Sequence, residues 1–470
     1  MGRLAAVLAA GLIALAGATA GAHAQTLEDT CASAELVPGA CVGISKITER
    51  AAAECRRAGV PDESCIAPMA RRVMREEVRA HASSWLHRTL DFQYELGSRV
   101  PFRDAPWIGT HNSFNSTSEF PTVSHTDSNQ QLSLTHQLRI DVRSLELDVH
   151  WLPSPHAAGQ PAPVVCHGRG ADELHAGCTT ERLLSDTLTE ITTWLRDHGD
   201  QVILLYIEDA VDAPEGYDPT TAVLDQGLRD ERGRSLVYRP PAGGACTDLP
   251  LDLTREKVRA AGAQVVIVSG CGSGAAWHGL VFDWNDVHVE GGNDGYRDAP
   301  VCDQDPDGDG RPQFNRETYA TKLVRFFEDS TWLSATLTGE GEGLTPEIAR
   351  RMSRCGVDLF GFDQILPRDG RLDALAWSWA ENEPSRAGDC TIQRGDGRWI
   401  ARRCTKRHRA ACRRPDGRWV LTTSSLPAES ALKACRARGG IPALPRTAAE
   451  NEVLRSVAAA AGADGVWLPA

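Results

Sequence analysis

A chain of 470 residues with 41% hydrophobic and 24% charged residues is globular rather than disordered. It is too long for one ordinary core, so two or three units are expected. The formal charge of −13 divides into +1 over residues 1–24, −23 over residues 25–384 and +9 over residues 385–470, which excludes nucleic acid as a partner of the acidic body and marks the basic tail as a module with partners of its own.

The chain opens with Arg3, an apolar run from Leu4 to Ala16, and small residues ending Ala22-His23-Ala24. This is the form of a signal peptide over residues 1–24, with the mature chain starting near Gln25. The run is short for a membrane span, although a retained N-terminal anchor is the alternative. A secreted protein follows, extracellular or periplasmic. All 14 cysteines lie beyond the leader with no CxxC pair, which points to disulfides rather than zinc thiolates. Residues 25–100 hold Cys31, Cys41, Cys55 and Cys65 and then a helical pattern from about Pro68 to Leu86, with Met74, Val78 and Trp85 on one face. This reads as a disulfide-tied helical extension.

From Trp107 short apolar strands alternate with amphipathic helices. The expected strands are Trp107–Thr110, Ser144–Val149, Pro163–Cys166, Val202–Ile207, Ser235–Tyr238, Gln264–Val268, Gly279–Asp283 and Val357–Phe362. The clearest helix is Leu183–His198, with Leu184, Leu188, Ile191 and Leu195 on one face. Alternation predicts a parallel sheet, and strands of this number over this length predict an α/β fold, a (β/α)₈ TIM-type barrel over residues 101–368. A boundary falls at Leu366–Leu372, and residues 369–470 form a smaller α+β unit.

Four expected strand ends carry polar groups: His111-Asn112, Glu146-Leu147-Asp148, Cys166-His167-Gly168 and Glu208-Asp209. In a barrel the C-terminal strand ends share one face, where active sites sit. Glu146 and Asp148 are two apart on a strand and point to the same side. Together with Asn112 and Glu208 they make an all-oxygen set suited to Ca²⁺ or Mg²⁺ rather than zinc. A solitary histidine or ExD at a strand end is more often structural, and Glu208-Asp209 would also serve as a helix cap. Their joint occurrence at four ends favours a site. Cys166 and Cys178 bracket the loop beside His167 and are expected to pair.

The segments Gly109-Thr110-His111-Asn112-Ser113, Val142 to Asp148, Pro163 to Gly168 and Val202 to Glu208 resemble the X-region of phosphatidylinositol-specific phospholipases C, in particular the calcium-dependent bacterial ones. The resemblance covers residues 104–210 and runs more loosely to about 365. It implies a barrel phosphodiesterase with Asn112, Glu146, Asp148 and Glu208 as Ca²⁺ ligands and His111 and His167 as the catalytic histidines. It further implies that the inositol 2-hydroxyl of a phospholipid at a membrane surface attacks phosphorus. The run Asp303, Asp305, Asp307 and Asp309 resembles the start of a second calcium loop. Its twelfth position is Phe314 or Arg316 rather than an acid, so a calcium loop and a plain acidic turn both fit.

The tail, from Trp377 to Arg413 and from Ala428 to Trp467, resembles the two halves of a C-type lectin-like domain in reversed order, either a circular permutation or one partial unit running into another truncated one. A permuted domain implies Cys390–Cys404 and Cys412–Cys435 bonds. Glu383-Pro384 is followed by Ser385, and Trp399 by Ile400-Ala401, so the family's calcium-dependent sugar site is not intact. The basic stretch from Arg394 to Arg418 is either a solvated face or an attachment patch for an anionic surface. Two rival readings of the whole chain remain: another glycerophosphodiester or sphingolipid phosphodiesterase on the same barrel, or a non-catalytic surface-binding protein. The sequence says nothing of oligomeric state.

Overall fold

The computed structural model describes residues 50–290, 323–328 and 344–469, apart from 59–61, 117, 119–127, 169–177, 179–180, 212, 243 and 285. The leader, Cys31, Cys41 and the acidic run Asp303, Asp305, Asp307 and Asp309 lie outside these residues.

The first sheet is a curled parallel sheet. Its strands are β1 (Trp107–Thr110), β2 (Ser144–Pro153), β3 (Pro161–Val165), β4 (Ile203–Ala210), β5 (Val265–Ser269), β6 (Phe282–Asp283), β7 (Asp286–Glu290), β8 (Leu323–Phe327) and β9 (Leu359–Phe362). The order is β6-β5-β4-β2-β1-β9-β8-β7, with β3 attached to β2. The first strand pairs in parallel with the last, Gly109 opposite Gly361, so the sheet curls back on its own start as in a barrel, and among the described residues β6 and β7 are its two edges. The fold class is the expected α/β TIM-type barrel with a separate C-terminal sheet. No described helix is long and apolar enough to cross a membrane.

Four expectations need correction. The segment Pro161–Val165 is not a parallel barrel strand: β2 runs past the barrel mouth, turns, and β3 comes back antiparallel to it, with Val165 opposite Val149. Ser235–Tyr238 makes only single bridges, Ser235 to Arg229 and Val237 to Val265. Pro240 and Pro241 follow at once and cannot donate to a ladder. The two parallel strands that complete the barrel are β7 and β8, which the sequence reading passed over. The helical pattern at Pro68–Leu86 is also two helices, Asp62–His81 and Trp85–Leu96, broken where the Ser84 side chain caps the second by accepting from His87 N.

Alternation along the strands sorts two cores. Leu145, Leu147, Val149, Leu205, Ile207, Val265, Ile267, Phe326 and Phe360 pack outward against the helices. Trp107, Leu204, Val266, Val268, Leu323, Phe327 and Leu359 fill the barrel interior. Helix Trp85–Leu96 is wedged under the barrel. Tyr94 Oη donates to Val202 O at 2.7 Å and accepts from Val202 N at 2.9 Å, and Arg255 lies 4.1 Å over its ring. The other side of the same helix carries Phe92 and Leu96 into the core of the C-terminal unit.

That unit is a second sheet of β10 (Cys390–Arg394), β11 (Trp399–Arg402), β12 (Arg409–Arg413), β13 (Trp419–Leu421), β14 (Ile441–Pro442) and β15 (Gly465–Leu468), in the order β11-β10-β15-β12-β13 with β14 on β12. The last strand of the chain therefore lies in the middle. Cys390–Cys404 and Cys412–Cys435 are bonded.

Candidate active site

Pairing register builds the site. β2 and β4 lie in parallel with Glu146 opposite Tyr206 and Asp148 opposite Glu208. The outward faces of both strands are apolar, so Glu146, Asp148, Tyr206 and Glu208 all turn inward at the mouth. β1 comes close beside them because Gly109 has no side chain: a Cβ there would stand 2.7 Å from Phe360 O and 3.0 Å from Ser144 Cβ. Just beyond β1 the chain turns through Asn112 in the left-handed region, at φ 42°. Ser113 locks that turn: its N–H donates to Glu146 O at 3.1 Å and its hydroxyl accepts from Glu146 N at 2.8 Å.

The result is a crowded oxygen cluster. One ligand oxygen each from Glu146, Asp148 and Glu208 lie within 4.8 Å of one another, the first two residues buried and Glu208 exposed. The Asn112 N–H donates to Glu146 Oε2 at 3.1 Å. One end of the Asn112 amide sits 2.9 and 3.0 Å from the two Asp148 oxygens, and the other end 3.1 Å from His111 Nε2. If the amide oxygen faces Asp148, three oxygens meet with no donor between them, an arrangement a cation satisfies. If the nitrogen faces Asp148, it supplies the missing donor itself. Burial pushes the Glu146 carboxyl up, with the charge of Glu208 adding to it, to about 7. Burial and then Glu208 and Glu146 also raise Asp148 well above its ordinary value. Carboxylates this crowded require a proton or a cation.

His111 stands beside the cluster. Its Nδ1 is 3.3 Å from Asp363 Oδ2, and Asp363 is wholly buried at the end of β9. Burial alone would lower the imidazole's pKa, but the charges of Asp363, Glu146 and Asp148 prevail and hold it up to about 10. The backbone carbonyls of His111 and Phe362 both accept from Gln130 Nε2, at 2.7 and 2.8 Å, which fixes the β1–β9 seam. Asp363 is held from behind: its N–H donates to Glu328 Oε2 at 2.5 Å, and Glu328 is paired with the buried Arg371. The interior floor is Tyr206, Trp284 and Phe327, all within 5.2 Å of the Arg325 guanidinium.

His167 follows the returning hairpin rather than a parallel strand end of its own. The N–H of Cys166 donates to Asp148 O at 3.1 Å, so the residue before His167 lies directly against the ligand strand. Cys166 is bonded to Cys178, and His167 is exposed. Asp209 is outside the cluster; its carboxylate accepts from Val211 N at 3.1 Å and Tyr217 Oη at 2.6 Å, a lock on the following turn.

The structure thus brings Asn112, Glu146, Asp148 and Glu208 together with His111. The sequence reading missed Asp363, Gln130 and the Glu328–Arg371 pair. Asp363 alone had a readable signal, since it follows the expected strand Val357–Phe362 at its C-terminal end.

Comparison with known proteins places residues 66–369 in the Rv2075c PI-PLC-like domain family. Two uncharacterized proteins of Mycobacterium tuberculosis, MT2135 and Rv2075c, are each 47% identical over 441 residues, covering 91% of this chain and 88% of theirs. Among solved structures, the phosphatidylinositol-specific phospholipase C of Listeria monocytogenes aligns with a TM-score of 0.41 at 13% identity, over 61% of this chain and 98% of that one. The Staphylococcus aureus enzyme aligns with a TM-score of 0.40 at 11% identity, over 63% and 98%.

Proposed function

From its place in the Rv2075c PI-PLC-like domain family, to which this chain belongs, we propose that it is a calcium-dependent phosphodiesterase that cleaves a phosphatidylinositol-type phospholipid. The observation that carries this reading is the mouth cluster, in which the carboxylates of Glu146, Asp148 and Glu208 converge within 4.8 Å beside Asn112. The donor set fits a hard cation: every available ligand atom is oxygen, and the acceptors outnumber the donors. Asn112, Glu146, Asp148 and Glu208 would hold the ion. Bound there, Ca²⁺ would lower the pKa of a substrate hydroxyl and neutralise charge on a phosphoryl oxygen.

The chain's own residues do the rest. The inositol 2-hydroxyl oxygen bonds to phosphorus and the phosphorus–diacylglycerol oxygen bond breaks, giving a cyclic phosphate. One proton leaves the 2-hydroxyl and one reaches the departing alkoxide. His111 is placed for one of these transfers, with Nδ1 held by Asp363 and Nε2 turned toward Asn112 and the cluster. His167, exposed on the returning hairpin, is assigned to the other. Residues 101–368 would be the catalytic unit, carried after an exported leader over 1–24 and a helical extension over 25–100. Bonded cysteines such as Cys246–Cys271 support export. We assign residues 369–470 to a C-type lectin-like unit that attaches to an anionic surface. A family-type calcium site there is disfavoured because the Glu383 carboxylate is already taken up by Ser385 N and Ala401 N, at 2.5 and 3.0 Å.

The test is to incubate the purified protein with phosphatidylinositol vesicles, with calcium or with chelator, and to assay inositol cyclic phosphate. Calcium-dependent product is expected. Product at the same rate in chelator would remove the cation from the mechanism. Cleavage of sphingomyelin or glycerophosphodiesters alone would move the protein to the rival lipid class.

A further inference from the structure

A second constellation lies where the first two helices meet the turn before β2, and nothing in the lipid chemistry uses it. Helix Asp62–His81 ends in His81, helix Trp85–Leu96 carries His87, and the turn before β2 carries Asp141. His81 Nε2 is 2.7 Å from Asp141 Oδ2, and His87 Nδ1 is 2.8 Å from Asp141 Oδ1. The His81 and Asp141 side chains are 2% and 6% exposed, and His87 is 29% exposed. Asp141 holds φ 72°, in the left-handed region that non-glycine residues rarely adopt, so the backbone is bent to present this carboxylate.

We propose that His81, His87 and Asp141 form a metal site, independent of the active site, that takes a divalent ion of the zinc type and clips the helical extension to the barrel. The donor set argues for the metal class. Two imidazole nitrogens and one carboxylate oxygen suit Zn²⁺ and its neighbours, whereas the active-site cluster is all oxygen and suits Ca²⁺. The three ligand atoms lie within 4.8 Å of one another. A tetrahedral ion with bonds of about 2.0–2.1 Å needs ligand atoms about 3.3 Å apart, so the two carboxylate contacts open by about half an ångström each, and the imidazole nitrogens, which now meet different oxygens of Asp141 within 4.8 Å of each other, draw in on the ion. On binding, each neutral imidazole carries its proton on the nitrogen facing away from the ion, Nδ1 of His81 and Nε2 of His87. Room exists on one side, where Asp141 and Asp91 line a cavity of about 50 Å³. Two further charged groups are near: Asp91, half-buried one turn on from His87, which adds negative charge, and Arg143, whose Nη2 is 3.9 Å from Asp141 Oδ1 and balances that charge.

The competing arrangement is the hydrogen-bonded latch alone, and the variants separate the two. In His81→Gln the amide nitrogen replaces Nε2, and in His87→Asn it replaces Nδ1. Both keep a donor for Asp141 and lose a zinc ligand. Chelator-stripped full-length protein is titrated with Zn²⁺ by calorimetry and with Co²⁺ by visible absorption, and its Tm is read with and without Zn²⁺. One zinc per chain and a Tm rise are expected for the wild type. Asp148→Asn, which changes only the calcium cluster, keeps both. His81→Gln and His87→Asn bind zinc more than about a hundredfold more weakly and lose the Tm rise. No zinc uptake by the wild type, or uptake and a Tm rise unchanged in His87→Asn, would overturn the proposal. Neither result depends on lipid turnover, so the site stands or falls apart from the proposed function.

Discussion

Replacing Arg371 by Met tests how the candidate catalytic histidine is held. Arg371 is completely buried. Its guanidinium donates to Glu328 at 2.8 and 3.1 Å and to Asp369 at 2.8 and 3.1 Å, and it lies 5.3 Å over the Phe362 ring. Glu328 also accepts the N–H of Asp363 at 2.5 Å and that of Leu344, and Asp369 accepts Leu366 N and Arg371 N at 2.9 and 2.8 Å. Methionine fills much of the volume but leaves two carboxylates, each wholly enclosed, with no cation. Breaking such a pair from one side costs about 3–5 kcal/mol. Urea unfolding followed by fluorescence should show that loss as a lower midpoint at unchanged slope. The double variant Arg371→Met with Glu328→Gln removes one of the stranded charges and should recover about 1–3 kcal/mol, a coupling read from the double-mutant cycle. Lipid cleavage by folded Arg371→Met should fall as well, because Glu328 fixes the backbone of Asp363, on which His111 rests. A loss below about 1 kcal/mol, or additivity in the cycle, would refute the claim that one buried cation sustains both carboxylates.

Other consequences follow from the same contacts. His111→Ala should lower cleavage of phosphatidylinositol by about 10²–10⁴-fold, and Asp363→Asn by about 10–100-fold, with circular dichroism unchanged in both. Glu146→Gln or Asp148→Asn should abolish the dependence of activity on added calcium, measured against a chelator series; a preserved calcium response would remove these side chains from the ligand set. Gln93→Ala should cost about 2–4 kcal/mol in urea unfolding, because Gln93 Oε1 accepts from Trp377 N, Ser378 N and Ser378 Oγ at 2.7, 2.9 and 3.0 Å and its amide donates to Leu375 O at 3.1 Å, all out of reach of water.

The site was legible in the sequence where chemistry sits at the end of a short apolar run. His111-Asn112, Glu146-x-Asp148 and Glu208 each follow or interrupt such a run, and the period of two fixes which way they point. His167 was legible as a residue but not as a route: Pro163–Val165 is apolar enough for a barrel strand, and no local pattern says that it folds back on β2 instead. Asp286–Glu290 and Leu323–Phe327 were missed as strands. The first is an alternating run, and the second is an apolar run interrupted by Arg325, a charge that argues against a core strand until Tyr206, Trp284 and Phe327 are seen around it. Gln130 acts across the 232 residues that separate it from Phe362, and Glu328 acts across 35 residues to Asp363 and 43 to Arg371. No periodicity encodes a partner at that distance.

Three carboxylates do not gather unaided, and the force that gathers them is the hydrophobic alternation on the far side of the same strands. Leu145, Leu147 and Val149 on β2 and Leu205 and Ile207 on β4 are fully buried against the helices. Each contributes roughly 1.5–3 kcal/mol by leaving water. Sliding either strand by one residue would separate the carboxylates, but it would also turn these side chains into the barrel mouth, because the period is two. The apolar face sets the register, and the register sets Glu146, Asp148 and Glu208 side by side against their own repulsion. What remains unfavourable after folding is confined to the mouth, where a cation from solution can reach it. The stability of the outer core and the appetite of the inner cluster for a positive charge are therefore two faces of one pattern in β2 and β4.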